Sequence, residues 1–341
     1  MPKLCSVVKD NLTNKNILII RLGKIGDIIV SSFVFEVLKN QYHLSKLTLI
    51  TLHKNKDVLK YNPQLDKIIY INKNIFSLLK LINLLPIKFD IIFELNDDPS
   101  TTSSYILKYL RGKIKIGYTF DKNIKHLTTS VNRPDKTKSH IVERAASLIE
   151  GSGIKVNEAD LKPIVYIGEQ EKDEVLQHLK HEREHALIIA INISAGAQIR
   201  YWKEEYWIQL IQIIYNNRPN VKFLILSIPK DDSQRDKILS NFDPKVFIIP
   251  KYFSFQHFAS YINFCDLLIS PDTSAIHIAS AFQKPVIGLY PNYEWSFVSW
   301  QPYKTPHRSL KSPDESISAI QPEEVYSAFL ELTDETQLFK K

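Results

Sequence analysis

The chain has 341 residues, 44% hydrophobic and 24% charged, a balance that excludes a disordered or fibrous chain and suggests two globular domains. Its two cysteines, Cys5 and Cys265, fit neither a disulfide framework nor a metal spacing, and no run of 18 apolar residues is available to cross a membrane as a helix. The formal charge of +7, with a pI near 9.0, favours an anionic partner without choosing among nucleotide, phosphorylated glycan, acidic membrane surface or nucleic acid.

Residues 1–15 read as a polar lead-in, with Asp10 arguing against a signal peptide. Residues 17–20 are a short apolar strand, followed by the glycine-bearing loop Arg21-Leu22-Gly23-Lys24-Ile25-Gly26-Asp27, which enters a helix at Asp27. Strands are expected at 47–52, 67–71, 89–95 and 113–118, with an apolar helix over 75–85 and another after the polar loop 96–102. Residues 121–138 are polar and basic and read as a long loop, and 139–150 read as a helix stopped by Gly151 and Gly153. A charged helix, 169–185, follows the boundary region. A second set of strands then falls at 187–193, 222–228, 246–249, 267–270 and 286–290, with helices between them and a last helix starting at Pro322. Strands alternating with helices predict parallel sheets and an α/β fold in both halves. The boundaries are set at 1–165, 166–321 and a C-terminal segment 322–341.

Three stretches could carry chemistry. The loop at Gly23 has the spacing G-x-x-G, so it is neither the dinucleotide fingerprint nor a Walker loop. Asp27 there is either a plain helix cap or a general base on a rigid elbow. Residues 194–203 follow the first strand of the second half, where Gly196 permits close backbone approach and the Arg200 guanidinium suits a phosphate. Trp202, beside it, reads as packing. The third stretch, 270–290, is strand, loop, helix, strand. Asp272 is typed as N-cap, with Thr273 and Ser274 opening the helix and His277 one turn in. It is either an ordinary crossover or an anion site at a helix N-terminus. The aromatic run Tyr290, Tyr293, Trp295, Phe297, Trp300, Tyr303 stacks on a ligand or pins a loop; the residue types alone do not separate these. The histidines show no metal spacing, and no metal ligand set is assigned.

Taken together, ILIIRLGKIGD, the 139–154 helix, 189–211 and SPDTSAIHIASAFQKPVIGLY resemble, in order and spacing, glycosyltransferase family 9, the ADP-heptose:lipopolysaccharide heptosyltransferases. The resemblance implies a GT-B fold: two Rossmann-like domains with parallel sheets facing across a cleft, an N-terminal acceptor domain and a C-terminal nucleotide-sugar domain, with the final helix packing back toward the first. It implies inverting, metal-independent transfer of a heptose from ADP-heptose to a lipid A–core acceptor, with no cofactor beyond the donor. Carried over by position, Asp27 matches the base; Gly196, Arg200, Asp272, Thr273, Ser274 and His277 match the donor diphosphate and sugar contacts. Asp231 or Asp232 resembles the ribose contact and 251–253 the adenine edge. Lys24 and Asp97 are assigned to the acceptor, with the basic stretch 122–138 meeting its acidic groups. Three departures concern the pocket: Ser274 stands where the family has Gly, Arg200 where Lys is usual, and Tyr290-Pro291-Asn292 shortens the turn after the last strand. The implied setting is cytoplasmic, peripheral on the inner face of the inner membrane, with no nucleic-acid partner. Two alternatives stay open: another nucleotide sugar or surface glycan within the family, and a non-catalytic nucleotide-sugar-binding module. A nicotinamide-dependent oxidoreductase is disfavoured by the missing GxGxxG.

Overall fold

A computed structural model describes residues 14–72, 74, 76 and 79–340. Cys5, the lead-in before residue 14 and the Ile75 opening of the expected 75–85 helix lie outside the described residues. The chain divides after Tyr166 into two compact units.

In the first unit, β1 (Asn16–Arg21), β2 (Lys46–Leu52), β3 (Lys67–Ile71), β4 (Lys88–Glu94), β5 (Arg111–Tyr118) and β6 (Thr129–Val131) form one parallel sheet. Its order is β3-β2-β1-β4-β5-β6. β1 is central because its residues are apolar on both faces: Ile17 pairs with Leu47 on one side and Ile91 on the other, and Ile17, Leu18, Ile19 and Ile20 are fully buried. Helices α1 (Ile25–Val30), α2 (Phe33–Gln41), α3 (Thr101–Tyr109) and α4 (Ile141–Glu150) connect and flank the strands. Where a helix is expected over 75–85, the described residues form a 3-10 helix, Leu79–Leu84, with Leu79 and Ile82 exposed. β6 lies inside the stretch read as a loop; a three-residue edge strand leaves too little alternation to read.

The second unit repeats the plan. β7 (Leu187–Asn192), β8 (Val221–Leu226), β9 (Phe247–Ile248), β10 (Leu267–Pro271), β11 (Val286–Tyr290) and β12 (His307–Lys311) form a parallel sheet in the order β12-β11-β10-β7-β8-β9. Its helices are α5 (Glu169–His185), α6 (Glu204–Asn217), α7 (Asp232–Leu239), α8 (Phe255–Phe264), α9 (Ser274–Ala281), α10 (Glu294–Trp300) and α11 (Pro322–Glu335). β12 and α10 have no counterpart in the sequence reading. α11 carries apolar residues at i, i+3, i+4 and i+7, namely Val325, Ala328, Phe329 and Leu332. They lie in the second unit's own core, where α11 packs on α6. Trp202 is buried in the same core, edge-on to Trp207 at 4.7 Å, with its Nε1–H donating to the Ile320 carbonyl at 2.9 Å. Cys265 is fully buried, and burial pushes its thiol up to about 12. No helix among the described residues is long and apolar enough to cross a membrane.

Both sheets are doubly wound, and in each the strand order reverses between its first and fourth strands, β1/β4 and β7/β10. In such sheets the connections leaving the two paired strands turn in opposite directions, which leaves a crevice outside their carboxyl ends. The first and third candidate stretches leave the sheets at these two places.

Candidate active site

In the first unit, β1 ends at Arg21 and the G-x-x-G loop turns into α1. The structure corrects the placing of Asp27. The helix begins at Ile25 with Lys24 as N-cap, and Asp27 is the third helical residue. Its carboxylate reaches back: Oδ2 accepts the Lys24 amide at 2.8 Å, and Oδ1 pairs with Arg21 Nη2 at 3.0 Å. Gly23 is required for this. A Cβ there would sit 2.3 Å from the Asp27 Cβ and 2.7 Å from its Oδ2. Arg21 is buried, donating also to the Leu95 carbonyl at 2.6 Å, and Asn55 Nδ2 donates to the Gly23 carbonyl at 3.1 Å. Asp27 is thus a partly exposed carboxylate in the first turn of α1, behind a loop fixed by residues at the ends of β1, β2 and β4, while Lys24 is exposed beside it.

Asp97, assigned to the acceptor, is held by an ion pair within the fold. Arg144, itself buried, donates Nε to Oδ1 and Nη2 to Oδ2, both at 2.9 Å. Lys136 lies 3.6 Å away, and Arg133 donates to the Asp97 carbonyl at 2.6 Å. Arg133 and Lys136 also pair with Asp98. Part of the basic stretch therefore neutralises the 96–98 loop. Burial raises the Asp97 carboxyl, but the hydrogen bonds and charge of Arg144, with Lys136, outweigh it and hold the group below its usual range. A depressed folded-state pKa stabilises above the ordinary carboxylate range and is lost as pH falls through the lowered value. Asp97→Asn is expected to cost about 3–5 kcal/mol, since it strands the buried Arg144 charge, and the difference from wild type should shrink in acid. Denaturant unfolding at neutral and acid pH checks this; an unchanged midpoint at neutral pH would contradict it.

In the second unit, Thr273, not Asp272, caps α9: its Oγ1 accepts the Ala275 amide at 3.3 Å. Asp272 is buried one residue earlier. Its carboxylate lies 3.3 Å from Arg200 Nη1 and accepts the Ser296 hydroxyl at 3.2 Å, while the same Nη1 donates to the Asp272 carbonyl at 3.0 Å. The physical reason is charge: a buried carboxylate needs a cation, and Arg200 reaches it from the 198–200 turn. Asn192, at the end of β7, ties the crevice together, with Nδ2 3.0 Å from Ser270 Oγ, 3.1 Å from Thr273 Oγ1 and 3.2 Å from the Ser194 carbonyl. Ser274 heads α9, whose first amides have no intrahelical acceptor. His277 is buried against Trp300, with rings 5.5 Å apart. Gly196 is exposed, and a Cβ there would meet nothing.

Asp231 precedes α7 without a side-chain cap bond and lines an open hollow of about 440 Å³ with Gln198, Tyr201 and Lys230. The Tyr201 hydroxyl stands 3.2 Å from both its carboxylate oxygens and donates to the Ala195 carbonyl at 2.8 Å. Asp232 is turned away, paired with Arg235 at 2.7 Å. The 251–253 segment borders a different hollow of about 400 Å³, where Tyr252 stacks on His257 at 4.8 Å and Phe253 is exposed. The aromatic run mainly pins its segment: Phe297 meets the buried Tyr290 edge-on, Trp300 covers His277, and Trp295 stays exposed. Sequence reasoning missed Arg21, Glu94, Asn96, Asn192 and Ser296. The available signal was a polar residue closing an apolar strand, as at Arg21, Glu94 and Asn192.

The family model described as glycosyltransferase family 9 (heptosyltransferase) matches residues 78–323. The chain is 25% identical over 284 residues to the lipopolysaccharide core heptosyltransferase OpsX of Haemophilus influenzae, across 81% of this chain and 79% of that one. Among solved structures, the glycosyl transferase family 9 protein from Veillonella parvula aligns at a TM-score of 0.81 and 21% identity, over 94% of this chain and 98% of that one. The Escherichia coli heptosyltransferase WaaC with ADP-2-deoxy-2-fluoro heptose aligns at 0.71 and 13%, over 93% and 99%.

Proposed function

The chain belongs to glycosyltransferase family 9 (heptosyltransferase), and from that premise we propose that it moves a heptose from ADP-heptose to a lipopolysaccharide core acceptor with Asp27 as general base. It is a glycosyltransferase, and its fold is that of GT-B heptosyltransferases. The observation that carries the finer reading is the polar equipment at the switch point of each sheet. One has a carboxylate in the first turn of α1, held by Arg21; the other has Arg200 beside a helix N-terminus.

In this proposal the α9 amides at Thr273 and Ser274, with Arg200, hold the donor diphosphate. They stabilise the charge that builds on it as the bond to the anomeric carbon breaks. Asp27 takes the proton from the acceptor hydroxyl as its oxygen forms the new bond, and ADP leaves. Asp231, which lines the hollow, is assigned to the donor ribose. Gly196 leaves open space where a Cβ would crowd a phosphate. His277 packs against Trp300 and is assigned to the donor sugar. Lys24 receives acidic groups of the acceptor, and a glycolipid acceptor brings the chain to the inner-membrane surface. The WaaC relative, solved with an ADP-heptose analogue, supports the donor assignment.

Ser274 and the Pro291-Asn292 turn favour a second reading, a different nucleotide sugar on the same scaffold. A thermal-shift panel separates the two. ADP-heptose should stabilise the chain more than ADP, and more than UDP- or GDP-sugars; a larger shift from another sugar nucleotide would replace the donor assignment.

A further inference from the structure

We propose that Glu94 is a positioning residue that fastens the Asp27 loop to the turn after β5, a role that rests on the assignment of Asp27 above. Glu94 ends β4 at the switch point, is fully buried, and takes no part in the proposed transfer. Each of its oxygens receives one amide. Asn96 Nδ2 donates to Oε1 at 2.6 Å, and Asn123 Nδ2 donates to Oε2 at 3.1 Å.

The orientation of both amides is dictated by the backbone. The Leu22 N–H donates to Asn96 Oδ1 at 2.8 Å, and the Phe120 N–H donates to Asn123 Oδ1 at 3.1 Å. Asn123 Nδ2 also donates to the Tyr118 carbonyl at 3.1 Å. Flipping either side chain would set N–H against N–H. Both asparagines must therefore present their NH₂ groups to residue 94, and only a side chain with an acceptor at each end answers both. Glutamine has one acceptor too few, and aspartate is one methylene too short. The pocket is tailored on its far side as well: a Cβ on Gly117 of β5 would come within 3.3 Å of Glu94 Oε2. Burial pushes the Glu94 carboxyl up, while hydrogen bonds from Asn96, Ser103 and Asn123 and the charge of Arg21 act against that shift.

The consequence runs along three residues. Leu22 opens the loop, Gly23 passes so close under Asp27 that a Cβ there would lie 2.3 Å from the Asp27 Cβ, and Lys24 delivers its amide to Asp27 Oδ2 at 2.8 Å. Displacing the Leu22 amide displaces the base.

The test uses the full chain and Glu94→Gln. Transfer should show kcat lowered about 10- to 100-fold with KM for ADP-heptose unchanged, the cost of a misplaced reacting group. Backbone amides of residues 22–27 should exchange with deuterium faster. The reversal Glu94→Gln/Asn96→Asp lets the introduced glutamine amide donate to the introduced carboxylate, which still accepts the Leu22 N–H. It should return kcat to within about threefold of wild type and restore amide protection, as expected for directly coupled sites. Wild-type kcat in the single variant, or a double variant no better than the single in both readouts, overturns the role. If the wild type transfers no heptose, the proposed function fails, while the exchange of residues 22–27 still decides the role of Glu94.

Discussion

Asp27→Asn is expected to lower heptose transfer by about 10³-fold while leaving ADP affinity unchanged. The substitution keeps volume and hydrogen-bonding reach but removes the group that takes the acceptor proton. Asp27 also has a structural job, since it caps the Lys24 amide and pairs with Arg21. The two contributions separate by size. A lost cap costs about 1 kcal/mol of stability, and it does not stop chemistry in a protein that still binds donor. Steady-state transfer rates and calorimetric titration of ADP on the same preparation check the pair of expectations. A variant turning over near the wild-type rate would leave Asp27 a cap and nothing more.

Arg200→Ala is the companion on the donor side, with an expected loss of about 100-fold in kcat/KM for the sugar nucleotide. Arg200 is held by the Asp272 carboxylate and carbonyl, yet its Nε is buried without a hydrogen-bond partner. A buried donor left over in a crevice is a group waiting for an acceptor, and a phosphate oxygen satisfies it. Arg200→Lys should fall between wild type and alanine, because it keeps the charge and loses the fork. In this account Arg200 and the α9 amides supply the positive charge at the leaving diphosphate, so transfer should be insensitive to EDTA. Unchanged ADP affinity and kcat/KM in Arg200→Ala would remove the residue from the site.

The sheets were the legible part of this chain. β1, β7 and β10 are buried on both faces and appear as short apolar runs, as does the 91–93 centre of β4, and such runs need no knowledge of partners. The strand of 286–290 is read to the residue because Lys284-Pro285 and Pro291 bracket it. Short edge elements were not legible: β6 and β12 are partly exposed and carry weak alternation, and α10 hides in an aromatic run.

The site was legible as a set of loops, not as a set of roles. The Asp27, Arg200 and Asp272 segments all leave strands at the switch points. What local sequence could not supply was pairing at long range. Arg144 lies 47 residues from Asp97, and Arg200 lies 72 residues from Asp272. A carboxylate with no partner nearby in sequence gains one when the fold brings such a residue to it. Capping was misread for a related reason: Asp27 and Thr273 take their places from loop geometry, which moved the helix starts by one or two residues.

The central claim is that this chain transfers heptose from ADP-heptose to a core glycolipid. The direct measurement incubates the full chain with ADP-heptose and a heptose-deficient core glycolipid, and follows ADP release and acceptor mass together. The account predicts ADP release that depends on acceptor and a mass gain of one heptose per acceptor. Acceptor-independent ADP release with no gain in mass, or a gain only with another sugar nucleotide, would contradict it.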